Sequence, residues 1–303
     1  MTAEGVAVLY GGPSEEREIS LDSGEAVAAA LERRGQAVAR IDAGRDLPDR
    51  LREAGAVRAW VALHGPFGED GVVQGCLETL GVPYTGSGVL GSALAMDKLR
   101  SKRVWQAAGI PTPPVVDLAS EPPETVAARL GWPVMVKPAA SGSSLGLTRV
   151  DDEAGLEPAR REAAAFDATV LAEAWVEGAE LTVGILDGEP LPVLRLKTAR
   201  GFYDYKAKYD SAAGTEYLHP TGLGEAVEEY CQRLALTAFS ALDCRGWGRV
   251  DLMVGESGVQ VIEVNTIPGM TEHSLVPKAA AHAGIGFDDL VERILATAAT
   301  AQG

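Results

Sequence analysis

The first eighty residues alternate short apolar runs with amphipathic helical segments, and this alternation narrows the fold more than any other feature. Val6 to Tyr10 is an apolar run ending in the turn Gly11-Gly12-Pro13-Ser14. A helical pattern follows, with Ser20 as candidate N-cap, Leu21, Gly24, Ala28 and Leu31 on one face, and Gly35 as its stop. Ala37 to Ile41 and Ala59 to Leu63 read as further strands, and Val72 to Leu80 as a helix ended by Gly81. Strands and helices in strict succession imply a parallel sheet covered by helices.

The pattern changes near Asp97. A helix from Lys98 runs through Trp105, a core residue, to Gly109, and the proline-dense Ile110-Pro111-Thr112-Pro113-Pro114 follows. Val134 to Lys137 and Leu147 to Val150 are strands separated by a Gly/Ser turn, which points to antiparallel pairing. A helix to about Phe166 and a strand from Val170 to Trp175 complete this module. From Glu180 a third segment begins: Asp187-Gly188 marks a hairpin, residues 198–221 form a long polar, aromatic loop of the kind used as a lid, and a helix spans about Glu225 to Leu242. A second hairpin, Trp247 to Asn265, precedes the terminal helices. The expected division is 1–97, 98–179 and 180–303.

Composition removes several classes. The 303 residues carry 27 Lys+Arg against 43 Asp+Glu, a net charge of −16, which disfavours nucleic acid and anionic membranes as partners. At 46% hydrophobic and 23% charged, the chain is neither largely disordered nor fibrous. Cys76, Cys231 and Cys244 are too few and too scattered for a disulfide framework. No signal peptide is evident, and no apolar run approaches the ~20 residues needed to span a bilayer. The expectation is a cytoplasmic protein.

Two familiar motifs occur in the wrong context. Gly86-Ser87-Gly88-Val89-Leu90-Gly91 matches the dinucleotide fingerprint, but Gln106, Ala107 and Ala108 stand where an acidic residue should hold the ribose. Close packing of a helix on its sheet accounts for these glycines; an oxidoreductase is the rival they would support. Gly142-Ser143-Ser144-Leu145-Gly146 matches the nucleophile elbow of serine hydrolases, yet Leu147 to Val150 reads as a strand where that elbow requires a helix. A turn whose N–H groups cradle phosphate suits it better than a hydrolase centred on Ser144, with a plain hairpin tip as the bland alternative.

The most informative pattern lies near the C-terminus. Side chains alternate along a strand, so Arg249 and Asp251 share one face, as do Glu263 and Asn265, with Ile262 and Val264 turned away. A three-residue loop, Glu256-Ser257-Gly258, would set Asp251 opposite Glu263. Two opposed carboxylates repel unless a cation resolves them. Their all-oxygen donors suit Mg²⁺ or Mn²⁺, and such ions usually bind one or two carboxylates plus substrate phosphates, so the pattern implies a nucleotide. A merely solvated polar face, or a carboxylate-binding regulator without catalysis, would not need this set.

Together Lys137, the Ser/Gly loop and Asp251, Glu263 and Asn265 resemble the ATP-grasp enzymes, whose α/β and α+β architecture follows an open, Rossmann-like parallel sheet. The whole chain resembles the D-alanine–D-alanine ligase family. The likeness runs through Gly11-Gly12-Pro13-Ser14-Glu15-Glu16-Arg17, His64-Gly65-Pro66-Phe67-Gly68-Glu69-Asp70-Gly71, Met96-Asp97-Lys98, Phe202-Tyr203-Asp204-Tyr205, Lys208-Tyr209, Gly246-Trp247-Gly248-Arg249-Val250-Asp251, Glu263-Val264-Asn265-Thr266-Ile267-Pro268-Gly269-Met270-Thr271 and His273-Ser274-Leu275-Val276-Pro277.

That resemblance implies ATP-dependent joining of two D-alanine molecules through an acyl phosphate, in the synthesis of peptidoglycan precursors. ATP would contact Lys98, Lys137, Glu173, Trp175, Val176, Glu180, Phe202 and Met253. Asp251, Glu263 and Asn265 would hold two Mg²⁺ or Mn²⁺ ions. Glu16, Ser143 and Tyr209 would form a triad closing the site, while Arg249 and the N–H of Gly269 would face the oxyanion. His64, Lys208, Ser274 and Leu275 would serve the amino-acid substrates. The family commonly dimerises through its N-terminal domain, so a homodimer is expected. Tyr209 favours a dipeptide over D-alanyl-D-lactate, and D-alanyl-D-serine is the other rival product. Ala139, Ala140, Ala174 and Lys206 depart from the usual pattern without removing a ligand.

Overall fold

The computed structural model describes residues 5–142, 145–198 and 214–300. Strand β1 (Gly5–Tyr10) lies between β2 (Val38–Asp42) and β3 (Ala56–Val61), parallel to both. Its four middle residues are buried, as a central parallel strand covered on both faces requires. Helices α1 (Arg17–Arg33), α2 (Leu47–Ala54) and α3 (Val72–Leu80) make the connections. Gly24 of α1 packs directly on β1, where an added Cβ would stand 2.4 Å from that of Tyr10.

Ser20 does not cap this helix. The turn at Ser14–Glu16 supplies the first helical bonds, from Arg17 N–H to Ser14 O and from Ser20 N–H to Glu16 O. Ser20 is therefore inside the helix and buried, and its hydroxyl donates to Ala62 O at 2.7 Å.

Helices α4 (Val89–Met96) and α5 (Lys98–Ala107) lead out of the first module, with Asp97 capping α5 by accepting from the Arg100 N–H. Of the glycines at the start of α4, Gly91, inside the helix, serves close packing, against a different neighbour from the one expected. A Cβ on Gly91 would stand 2.5 Å from the Asp243 carbonyl oxygen, so α4 rests on the C-terminal module.

The central module comprises β4 (Val115–Asp117), α6 (Glu124–Leu130), β5 (Val134–Pro138), β6 (Thr148–Val150), α7 (Glu153–Ala163) and β7 (Val170–Ala174). Its sheet runs β4-β7-β5-β6, antiparallel throughout. The turn before β6 leads into a strand, contrary to the context a nucleophile elbow requires.

The third segment is built on β8 (Gly178–Leu186), β9 (Glu189–Pro190), β10 (Leu194–Lys197), β11 (Glu216–Leu218), α8 (Glu225–Ala241), β12 (Trp247–Gly255) and β13 (Gly258–Asn265), with the strand path β11-β10-β8-β12-β13. Asp187 and Gly188 both take left-handed φ, 51° and 78°, as a two-residue hairpin demands.

The closing helices, α9 (Leu275–His282) and α10 (Phe287–Ala296), return to the first module. Leu290, Val291, Ile294 and Leu295 form a buried stripe in the same core as β1 and α1. Arg33 of α1 and Arg34 just after it pair with Asp288 and Asp289 of α10, and Ala299 bridges to Tyr84. Trp105 is fully buried, with its indole N–H donating to Ala238 O at 3.0 Å.

Candidate active site

The floor of the site is the β12–β13 hairpin. Arg249 pairs with Asn265, Val250 with Val264 and Asp251 with Glu263. The register is the expected one, reached by another route. Gly255 pairs with Gly258, leaving a two-residue turn, and a bulge after Asp251 adds the missing residue on β13. The bulge also breaks the alternation, so Ile262, expected to face away from Glu263, joins it in lining the cleft.

The opposed carboxylates are held by resident cations. Arg249 donates twice to Asp251, Nε to Oδ1 and Nη2 to Oδ2, each at 2.8 Å. The Thr182 hydroxyl donates to Oδ1 at 2.7 Å and the Asn265 amide to Oδ2 at 3.1 Å. Lys98 Nζ lies 3.4 Å from Glu263 Oε2 and donates to Ser141 O at 2.8 Å, tying this floor to the Gly/Ser turn opposite. Among the described residues no three His, Cys, Asp or Glu side chains cluster as a metal cage. The donors at hand are two carboxylates and an amide, a set for a hard cation that draws its remaining oxygens from a bound phosphate chain.

Facing this floor across a cleft are Lys137 of β5 and Glu173 of β7, neighbours in the central sheet. Lys137 Nζ stands 2.8 Å from Glu173 Oε2. A third residue, unnoticed in the sequence, completes the group. Lys102 of α5 is wholly buried, 2.8 Å from the same oxygen, and donates to the Thr112 hydroxyl at 2.8 Å. Burial pushes Lys102 down to about 8, with Glu173 working the other way. Burial works to raise Glu173, but the two lysines outweigh it and hold the carboxyl below its usual range. Helical spacing alone places Lys102 near Lys98; only packing shows that it points inward.

The connection Trp175–Val176, Glu180 of β8 and Met253 of β12 line the same cleft. Trp175 donates to Glu177 Oε2 at 2.8 Å, and the Arg149 guanidinium lies 4.9 Å from the centre of its ring.

At one end the cleft meets the first module. Hypothetical Cβ atoms on Gly65 and Gly142 would stand 2.6 Å and 2.5 Å from Glu16 Oε2, so this carboxylate is wedged between the turn after β3 and the Gly/Ser turn. Glu69, also missed in the sequence, accepts from the N–H groups of Gly65 at 2.8 Å and Ile267 at 3.3 Å. Burial, and then the neighbouring Glu16 charge, pushes Glu69 up to about 8. His64 is buried with both ring nitrogens engaged: Nδ1 lies 2.9 Å from Ile267 O and Nε2 3.2 Å from the Ser23 hydroxyl. Burial lowers its basicity and keeps the ring neutral. Gly269 approaches Ser274 so closely that a Cβ would stand 2.9 Å from its hydroxyl oxygen, and Leu275 opens α9 directly after. Ser143, Ser144, Phe202, Lys208 and Tyr209 lie outside the described residues.

Two antiparallel sheets gripping a cleft lined by lysines and carboxylates, behind an open parallel sheet, define the ATP-grasp class. Models of the D-ala D-ala ligase N-terminus and C-terminus match residues 46–87 and 104–296. D-alanine–D-alanine ligases from Stutzerimonas stutzeri and Nitrosomonas europaea are both 54% identical to the chain, over 96% of it and 93% and 95% of their own lengths. A solved D-alanine–D-alanine ligase from Bacillus anthracis, complexed with ATP, superposes with a TM-score of 0.86 at 33% identity, covering 97% of both chains. The chain belongs to the D-alanine–D-alanine ligase family.

Proposed function

We propose that the chain joins two molecules of D-alanine into D-alanyl-D-alanine, converting ATP to ADP and phosphate, in the synthesis of peptidoglycan precursors. The observation that carries this reading is the facing of Asp251 and Glu263 across β12–β13, beneath Lys98 and opposite Lys137, in a cleft that ends at Glu16. Family membership and the ATP-bound relative support it. The dinucleotide and hydrolase readings find no support there.

A carboxylate is a poor acyl donor. The γ-phosphoryl group of ATP therefore passes first to a carboxylate oxygen of one D-alanine, breaking its bond to the β-phosphate oxygen. The free amine of the second then attacks the carbonyl carbon, phosphate leaves with the C–O bond electrons, and the proton lost from nitrogen goes with the departing phosphate. Lys98 and Lys137 offset the negative charge of the phosphates; Glu173, Trp175, Val176, Glu180, Phe202 and Met253 surround adenine and ribose. Asp251, Glu263 and Asn265 are the residues for two Mg²⁺ or Mn²⁺ ions, which would neutralise phosphate charge when bound. Glu16 attracts the ammonium of the first D-alanine, and Ser274 with the Leu275 N–H at the start of α9 suits the carboxylate of the second. Arg249 and the Gly269 N–H stabilise the oxyanion of the tetrahedral intermediate, where aligned donors contribute most. Ser143, Lys208 and Tyr209 complete the closed site, which must exclude water because an acyl phosphate hydrolyses.

Among the described residues no helix is long and apolar enough to cross a membrane; a cytoplasmic location is part of the proposal. Val72, Val89 and Leu90 leave an exposed apolar surface on the first module, which suits a homodimer contact there. The test is phosphate release from ATP and Mg²⁺ with D-alanine, L-alanine, and D-alanine paired with D-serine or D-lactate. Release with D-alanine alone supports the assignment; release only with D-lactate or D-serine as second substrate replaces it.

A further inference from the structure

Between Asn265 and Ser274 the chain crosses the end of the cleft, and two points of that crossing are anchored to the first module. Ile267 O lies 2.9 Å from His64 Nδ1, and the Met270 N–H donates to the Ser23 hydroxyl at 3.1 Å. The same hydroxyl lies 3.2 Å from His64 Nε2. All of these groups are buried.

With the buried ring neutral, one arrangement of protons satisfies them. A carbonyl oxygen can only accept, so Nδ1 carries the ring proton and Nε2 of the neutral ring must accept. Ser23 accepts from Met270, so its single proton goes to Nε2. A continuous chain results, from the Met270 N–H through Ser23 and His64 to Ile267 O, closing on itself around Pro268 and Gly269. Gly269 is the partly exposed residue of this loop, and among the described residues nothing accepts from its N–H. His64, expected beside the substrate, has no ring nitrogen left to offer one.

We infer that Ser23 is a positioning residue for the ligation step: directly at Met270 and through His64 at Ile267 it fixes both sides of Gly269 and so aims the Gly269 N–H at the developing oxyanion. This rests on the proposed function above. Ser23 lies on α1, 246 positions before Gly269, and nothing local in the sequence links them. In the Ser23→Ala variant the Met270 N–H and His64 Nε2 lose their shared partner, and the loop gains freedom on the scale that costs catalysis without costing the fold.

The experiment compares the wild-type enzyme with Ser23→Ala and with Ser20→Ala, which removes another buried hydroxyl from the same helix, one bonded to Ala62 O. Turnover, KM for ATP and thermal unfolding are measured. So is exchange of ¹⁸O from the β–γ bridge of ATP into the non-bridging β positions, which reports reversible formation of the acyl phosphate. The expected result is a kcat lower by about 10- to 100-fold for Ser23→Ala, with KM for ATP within twofold and a raised ratio of exchange to turnover, because amine attack is the step impaired. Exchange in that variant also shows that its fold and first step survive. Ser20→Ala should lose comparable thermal stability and keep its turnover. A Ser23→Ala kcat within twofold of wild type, an equal loss in Ser20→Ala, or exchange falling in step with turnover overturns the inference. Wild-type enzyme inactive with D-alanine overturns the ligase reading itself.

Discussion

The buried trio behind the cleft makes the sharpest stability prediction. Lys102 and Lys137 each place Nζ 2.8 Å from Glu173 Oε2, so the two ammonium nitrogens lie within about 5.6 Å of each other. At an effective dielectric of about 20 their repulsion is about 3 kcal/mol, masked in the native protein by the carboxylate between them. Glu173→Gln keeps the shape and removes the mask. Uncompensated buried charge typically costs about 3–5 kcal/mol, so a loss of about 3 kcal/mol at pH 7 is expected by urea unfolding. Lys102 provides the escape, since its folded pKa, already about 8, falls further without Glu173 while the unfolded value stays at 10.5. Between those values the unfolded chain binds more protons than the folded one, so stability rises with pH. The deficit of Glu173→Gln relative to wild type should therefore narrow between pH 7 and pH 9. Adding Lys102→Met should restore more than half of it at pH 7, because methionine fills the same apolar space without the charge. A double variant no more stable than Glu173→Gln would refute the electrostatic account.

Other outcomes follow from the same geometry. Glu263→Gln should lower turnover by at least about 100-fold, as oxyanion- and phosphate-stabilising groups do, while thermal unfolding stays within a few degrees. Because burial raises Glu69 to about 8, the folded state holds a proton that the unfolded state releases nearer 4.5, and stability falls as pH rises through that window; Glu69→Gln should flatten this decline in denaturant melts taken from pH 5 to pH 9. Gly91→Val would press on the Asp243 carbonyl and should cost about 1–3 kcal/mol in urea unfolding. Tyr209→Phe should shift the second-substrate preference towards D-lactate, read as the ratio of the two products.

Much of the scaffold was readable because its signals are local. Period-two alternation places Asp251 and Arg249 on one face, and a short hairpin loop ending at the left-handed Gly258 predicts Glu263 opposite Asp251, the pairing observed. Even there the sequence did not show that a two-residue turn and a bulge share the work, since either route yields the same pairing at Asp251. The apolar runs likewise announced β1, β2 and β3 and the helix α1, whereas α2, between β2 and β3, went unread. What only the tertiary structure decided is which distant groups meet. Lys102 reads as an ordinary helix lysine until packing turns it towards Glu173, and α10 as a terminal amphipathic helix until its stripe finds α1. Ser23, His64 and Met270 come from three separate stretches of chain, and their hydrogen bonds depend on the docking of the last module onto the first. Backbone periodicity is set by neighbours a few residues away and is written in the order of side chains. The pairing of buried polar groups is set by how whole elements pack, and no short stretch of sequence carries it.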